Sequence, residues 1–151
     1  YPGIEGEERG QSEAIATNLA VMSKLKTPII VIITGEGGSG GALAIGVGDH
    51  IAILEHATYS VASPEACASI IWRTAEKASD AAEAMKVSAQ ELIKIKIVDE
   101  IIKEPLGGAH RDYKEISESV RSCILKNLGT LLSKSLDDLL EARYKKLLEI
   151  G

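Results

Sequence analysis

The chain has 151 residues and a mass of 16.0 kDa, and 45% of it is apolar, which is enough to bury one core and too much for a disordered segment. Its net charge is -5, from 17 basic and 22 acidic residues, which argues against a phosphate backbone or an anionic membrane as the main partner and in favour of a small or acyl-type substrate or another protein. Fourteen glycines stand beside one Trp, four Tyr and no Phe, so Gly and Ala must do work that aromatic packing does elsewhere.

The chain opens at Tyr1 with no initiator Met, no signal peptide and no apolar run long enough to span a bilayer, and is expected to be part of a longer protein. Ile15, Leu19 and Met22 recur at helical spacing and predict an amphipathic helix between Gly10 and Leu25, ended by Pro28. Residues 29–33 form a short, β-branched, uniformly apolar run, the mark of a strand buried on both faces in an α/β fold. A glycine-rich segment follows at 35–41, and the small residues of 42–48 suit a short, closely packed helix closed by Asp49. Residues 51–54 and 58–62 read as two more short strands. Ser63, Pro64 and Glu65 then start a helix running towards Trp72, with Ser63 as N-cap, Pro64 at the first helical position and an acid at the positive end of the dipole. Ser88 with Glu91 is a capping box for another helix. Residues 98–102 read as a strand, before the glycine turn Leu106-Gly107-Gly108-Ala109-His110.

Residues 1–113 carry 10 basic and 16 acidic groups, residues 114–151 carry 7 and 6, and twelve of the glycines lie upstream, which together place a boundary near Asp112. Beyond it the pattern is helical only. Ser135 starts the last helix, whose Leu136, Leu139, Leu140, Leu147 and Leu148 make one apolar stripe that must dock on its own domain or on a partner subunit. Cys67 and Cys123 are too few for a disulfide framework and have no metal-ligand spacing, so reduced, cytosol-like thiols are expected.

The most informative feature is the strand leading into five glycines within residues 35–41 and on into a helix. Glycine there permits positive φ and close backbone approach, and free N–H groups at a helix start can hold a phosphate, an oxyanion or a developing enolate. A P-loop is excluded, because Gly41-Ala42 stand where Lys and Ser/Thr are required. Gly35, Gly37 and Gly40 satisfy the dinucleotide fingerprint, with Glu55 ending the next strand, but the intervening helix is too short. Two readings stay open. Gly37-Gly38-Ser39-Gly40-Gly41 is also a G-x-S-x-G pattern, with Asp99 and His110 following in α/β-hydrolase order, so Ser39 would be nucleophile, His110 base and Asp99 its orienter. Alternatively the N–H groups of Gly40 and Gly41 form an oxyanion hole for enolate-type chemistry, each donor being worth ~3–4 kcal/mol of transition-state stabilisation.

The blocks Glu7-Glu8-Arg9-Gly10-Gln11-Ser12-Glu13-Ala14-Ile15-Ala16, Gly35-Glu36-Gly37-Gly38-Ser39-Gly40-Gly41-Ala42-Leu43, Tyr59-Ser60-Val61 with Ser63-Pro64-Glu65, and Glu104-Pro105-Leu106-Gly107-Gly108-Ala109-His110 resemble the carboxyltransferase alpha subunits of multi-subunit acetyl-CoA carboxylases. The resemblance covers nearly all of residues 1–112 in order, extends to the final helices, and implies the C-terminal half of a chain about twice as long. It implies an α/β crotonase-type fold, a spiral of ββα units over residues 1–112 with a helical extension over 113–151. It also implies transfer of the carboxyl group from carboxybiotin, borne on a biotin carboxyl carrier protein, to acetyl-CoA, giving malonyl-CoA for fatty-acid synthesis. The expected partners are a beta subunit of the same fold in an α2β2 assembly, the carrier protein and a biotin carboxylase, with no nucleic acid and no membrane insertion. On this resemblance Gly40 and Gly41 are the catalytic donors for the biotin ureido oxygen, Gly37, Gly38 and Ser39 bind the substrate, with Ser39 also shaping the loop, and Glu65 complements the helix dipole. No metal is expected in the chain, since the family's zinc ribbon belongs to the beta subunit. A bacterial cytoplasm is the expected location, with a plastid stroma as the alternative.

Overall fold

A computed structural model describes residues 3–150. Helices α1 (Ile4–Glu8) and α2 (Gln11–Met22) precede strand β1 (Ile30–Ile33). Strand β2 (Glu36–Gly38) runs directly into α3 (Ser39–Ile45). Strands β3 (His50–Leu54) and β4 (Thr58–Ser60) repeat that order and lead into α4 (Pro64–Trp72), α5 (Ala78–Met85) and α6 (Ala89–Lys94). Strand β5 (Glu100–Ile102) and the long helices α7 (Tyr113–Leu132) and α8 (Leu136–Leu148) complete the chain.

β1, β3 and β5 form one parallel sheet in the order β1-β3-β5, with Ile33 opposite Ile53 and Ile53 opposite Ile101. β2 and β4 form a second parallel pair. Each ββ unit thus sends its first strand to one sheet and its second to the other before a helix returns, which is the spiral of ββα units the resemblance implied. The central strand carries the core: Ile51, Ala52, Ile53 and Leu54 are all buried, together with Leu92, Val98 and Ile102. Burial on both faces, expected of residues 29–33, is realised in β3. In β1 only Ile33 is buried, because among the described residues β1 pairs with β3 alone and forms the sheet edge.

Side-chain caps set the starts of α4, α7 and α8. The Ser63 hydroxyl accepts from the Ala66 N–H at 3.1 Å with Pro64 in the first turn, as expected. The Ser88–Glu91 capping box does not form: Ser88 is bridged to Thr58 through its backbone, and Glu91 turns to Lys94 at 2.5 Å. Glu36–Gly38, read as loop, is strand, because Thr58–Ser60 pairs with it despite the low strand preference of glycine.

Asp112 caps α7, accepting from the Lys114 and Glu115 N–H groups. Ile116 and Cys123 of α7 lie in the same core cluster as the sheet. α8 docks on its own chain. Leu139 is buried and Leu140 and Leu147 are half-buried, while Leu136 and Leu148 at the ends of the stripe stay exposed. The decisive residue is Arg143, whose side chain is fully enclosed. Its guanidinium donates to both Asp49 carboxylate oxygens (2.9 and 2.8 Å) and to the carbonyls of Met22 (2.8 Å), Leu25 (2.9 Å) and Thr27 (2.9 Å). All five N–H donors are used. Asp49 also accepts from the Ile29 N–H at 2.7 Å, so one ion pair ties α8 to the end of α2 and to the starts of β1 and β3.

Candidate functional site

The glycine segment sits where β2 turns into α3. Gly38 is extended (φ -145°, ψ 153°) and acts as N-cap. Lacking a side chain, it offers no oxygen to the first-turn N–H groups, which have no acceptor within the helix either. The Ser39 N–H falls at the end of the β2–β4 ladder, opposite Ser60, so the first-turn donors left are those of Gly40 and Gly41. The left-handed residue is Ser39 (φ 56°), and none of the five loop glycines has a positive φ. The freedom of glycine to take a positive φ is thus not used at these five positions. What glycine supplies is the missing Cβ: at Gly37 a Cβ would meet the Tyr59 ring at 2.8 Å, and at Gly40 it would meet Ile15 Cδ1 at 3.1 Å. A side chain at Gly37 would force β2 off the Tyr59 ring of β4, and one at Gly40 would press α3 against Ile15 of α2.

A cavity of about 520 Å3 opens beside the donors, lined by Ser39, Gly40, Leu43, Tyr59, Met85 and Val87 among others. Gly41 is half-buried in the same turn, behind this lining. Gly38 is buried, and Gly37 faces a neighbouring cavity of about 250 Å3 on the other side of Tyr59. The Tyr59 hydroxyl donates to the Ala42 carbonyl at 3.2 Å, and burial pushes its pKa above the ordinary tyrosine value. Tyr59 therefore stays neutral at physiological pH and acts as the wall that both cavities share. Sequence reasoning missed this role; the signal was the glycine-to-aromatic apposition of two paired strands, which only register reveals.

The hydrolase reading fails. Asp99 accepts from the Ile51 N–H at 2.7 Å and pairs with Lys146, at the N-terminal end of β5. His110 lines a separate groove of about 650 Å3 with Thr34, Tyr113 and the α7 face. Among the described residues no hydrogen bond joins Ser39, Asp99 and His110. Ser39 has the strained backbone of a nucleophile turn but no base to activate it. Glu65 lies exposed in the first turn of α4, consistent with a dipole role.

A family model described as acetyl co-enzyme A carboxylase carboxyltransferase-like matches residues 1–151. The chain is 60% identical to the acetyl-coenzyme A carboxylase carboxyl transferase subunit alpha of Azotobacter vinelandii, covering all of this chain and 48% of that protein. It is 58% identical to the same subunit of Alcanivorax borkumensis, covering 47% of it. The chain thus spans about half the length of the curated relatives it matches. In fold it is similar to a Pseudomonas malonate decarboxylase hetero-tetramer solved with coenzyme A (19% identity, TM-score 0.72, 94% of this chain and 56% of that one). It is also similar to the transcarboxylase 12S core (22% identity, TM-score 0.59, 68% of this chain and 22% of that one). Neither the relatives nor the fold lends support to a serine hydrolase. The ordered motif blocks, the two-sheet spiral and the full-length match together make this chain a member of the acetyl-CoA carboxylase carboxyltransferase alpha-subunit family.

Proposed function

We propose that this chain provides the carboxybiotin side of a carboxyltransferase that converts acetyl-CoA to malonyl-CoA. The observation that carries the proposal is the α3 start, where a side-chain-free N-cap leaves the N–H donors of Gly40 and Gly41 uncapped beside an apolar cavity. As the carboxyl group leaves a ureido nitrogen, negative charge grows on the ureido oxygen, and fixed donors stabilise it without a nucleophile. Gly40 and Gly41 supply those donors, Leu43, Met85 and Val87 give an apolar bed suited to a ureido ring system, and Gly37, Gly38 and Ser39 shape the loop. The acceptor, acetyl-CoA, and its enolate fall to a beta subunit in an α2β2 assembly, served by a biotin carboxyl carrier protein and a biotin carboxylase. Residues 1–112 form the carboxyltransferase unit and 113–151 its helical extension. The bacterial relatives favour a bacterial cytoplasm.

The test is malonyl-CoA formation by the full-length subunit assembled with its beta partner. Gly41→Val or Gly40→Val keeps the N–H but crowds and displaces it, and is expected to lower the rate by roughly 10²–10³-fold, as much as losing one oxyanion donor, while leaving assembly intact. Ser39→Ala is expected to cost far less. Near-normal turnover in the glycine variants, or loss equal to theirs in Ser39→Ala, overturns the assignment.

A further inference from the structure

β3, β5 and α7 bring three unlike donor groups together at the opposite end of the sheet from the glycine segment. His50 opens β3, Glu100 opens β5 and Cys123 lies midway along α7. Their nearest donor atoms, an imidazole nitrogen, a carboxylate oxygen and Sγ, all lie within 4.8 Å of one another. No spacing rule reveals such a set, because its members are far apart in the chain.

The arrangement contains an electrostatic problem. His50 Nε2 is shut off from solvent and has no hydrogen-bond partner, yet it faces Glu100 Oε2 at 3.3 Å. The other ring nitrogen, Nδ1, lies 3.9 Å from the Asp99 carboxylate, beyond hydrogen-bond distance. An Nε2 lone pair set against a carboxylate oxygen is repulsive unless something positive lies between them. A proton would serve His50 and Glu100 only. A divalent cation would also use Cys123, whose thiol is held protonated by burial and by the Glu100 charge and would release its proton on metal binding.

We propose that His50, Glu100 and Cys123 form a binding site for a borderline divalent cation of the Zn2+ class, clipping α7 to the N-terminal ends of β3 and β5. Mixed nitrogen, carboxylate and thiolate donors select Zn2+ or Co2+ over Mg2+ and Ca2+, which take oxygen ligands. With metal–ligand bonds of about 2.0–2.3 Å the donors must draw in to about 3.5 Å of one another, a side-chain adjustment rather than a backbone one. The surroundings already have the form of a supporting shell. Asp99 stands behind His50, and the Asn127 amide donates to Glu100 Oε2 (2.9 Å) and to Cys123 O (2.9 Å) while reaching Cys123 Sγ at 3.5 Å. The exposed Lys126 ammonium reaches both Glu100 oxygens, Oε1 at 3.2 Å and Oε2 at 3.4 Å, and must swing towards solvent as the cation takes Oε2. The Glu100 side chain is 27% exposed, so the cluster has one solvent-facing side.

The test is Co2+ titration of the metal-stripped full chain without its partner, followed by visible and near-ultraviolet absorption. A thiolate-to-cobalt charge-transfer band that Zn2+ discharges and Mg2+ does not is the expected result. Cys123→Ser should abolish the band and Cys67→Ser should keep it. His50→Gln and Glu100→Gln should each weaken Co2+ binding by at least tenfold, with circular dichroism confirming that every variant is folded. Zn2+ should raise the Tm of the parent and not of Cys123→Ser. No band in the parent, or a band that survives Cys123→Ser, overturns the site.

Discussion

A methyl group at position 40 would point at Ile15 Cδ1, 3.1 Å away, so Gly40 marks where α3 and α2 are in closest contact. Gly40→Ala keeps the N–H but pushes α3 off α2, and should slow turnover by displacing the donors. Ile15→Val deletes the atom that is struck, so the double variant is expected to recover most of the rate. A double-mutant cycle on kcat checks this, and additive losses would sink the idea. At Gly37 the obstacle is the Tyr59 ring at 2.8 Å, and Gly37→Ala is expected to cost about 1–3 kcal/mol of stability by overpacking, read from the urea midpoint. Tyr59 also sets an alkaline limit. Its folded-state pKa is raised by burial, so its contribution is fully present below the unfolded value of about 10 and is lost as pH rises through the folded one. Tyr59→Phe should therefore flatten the fall in stability above pH ~10, measured by thermal unfolding across pH.

Among the elements, α8 shows most clearly what a sequence exposes and what it hides. The leucine stripe was legible from helical periodicity, and Leu139, Leu140 and Leu147 do face inward. Arg143 was not, although it lies four residues after Leu139 on the same face, and a charge inside an apolar stripe is the one clue the sequence offered. Its partners are three backbone carbonyls and an aspartate 94 residues away, which no local pattern encodes. Arg143→Met should cost about 3–5 kcal/mol, because it leaves Asp49 buried without its counter-charge. Combining it with Asp49→Asn should cost clearly less than the sum of the two single changes, as chemical denaturation of all four proteins can show. The glycine loop was legible for the opposite reason: its composition and the β-branched run before it are local. The strand character of Glu36–Gly38 and the Ser88 bridge were not, since both depend on Thr58–Ser60 and its neighbours arriving from another unit.

For the whole molecule, the composition change at Asp112 does not mark an independent folding unit. α7 contributes Ile116 and Cys123 to the core built on β3, and α8 is pinned through Arg143 to residues on both sides of β1. Calorimetry is therefore expected to show one cooperative transition for the chain, and two resolved transitions would show that residues 113–151 unfold on their own. The Arg143 clamp also has a temporal side. Asp49 and the carbonyls of Met22, Leu25 and Thr27 leave the ribosome long before their partner: at about 5–20 residues per second, the 94 positions to Arg143 correspond to roughly 5–20 s of translation. During that interval Asp49 lacks its counter-charge, so the junction of α2, β1 and β3 can close in its final form only once α8 has been made.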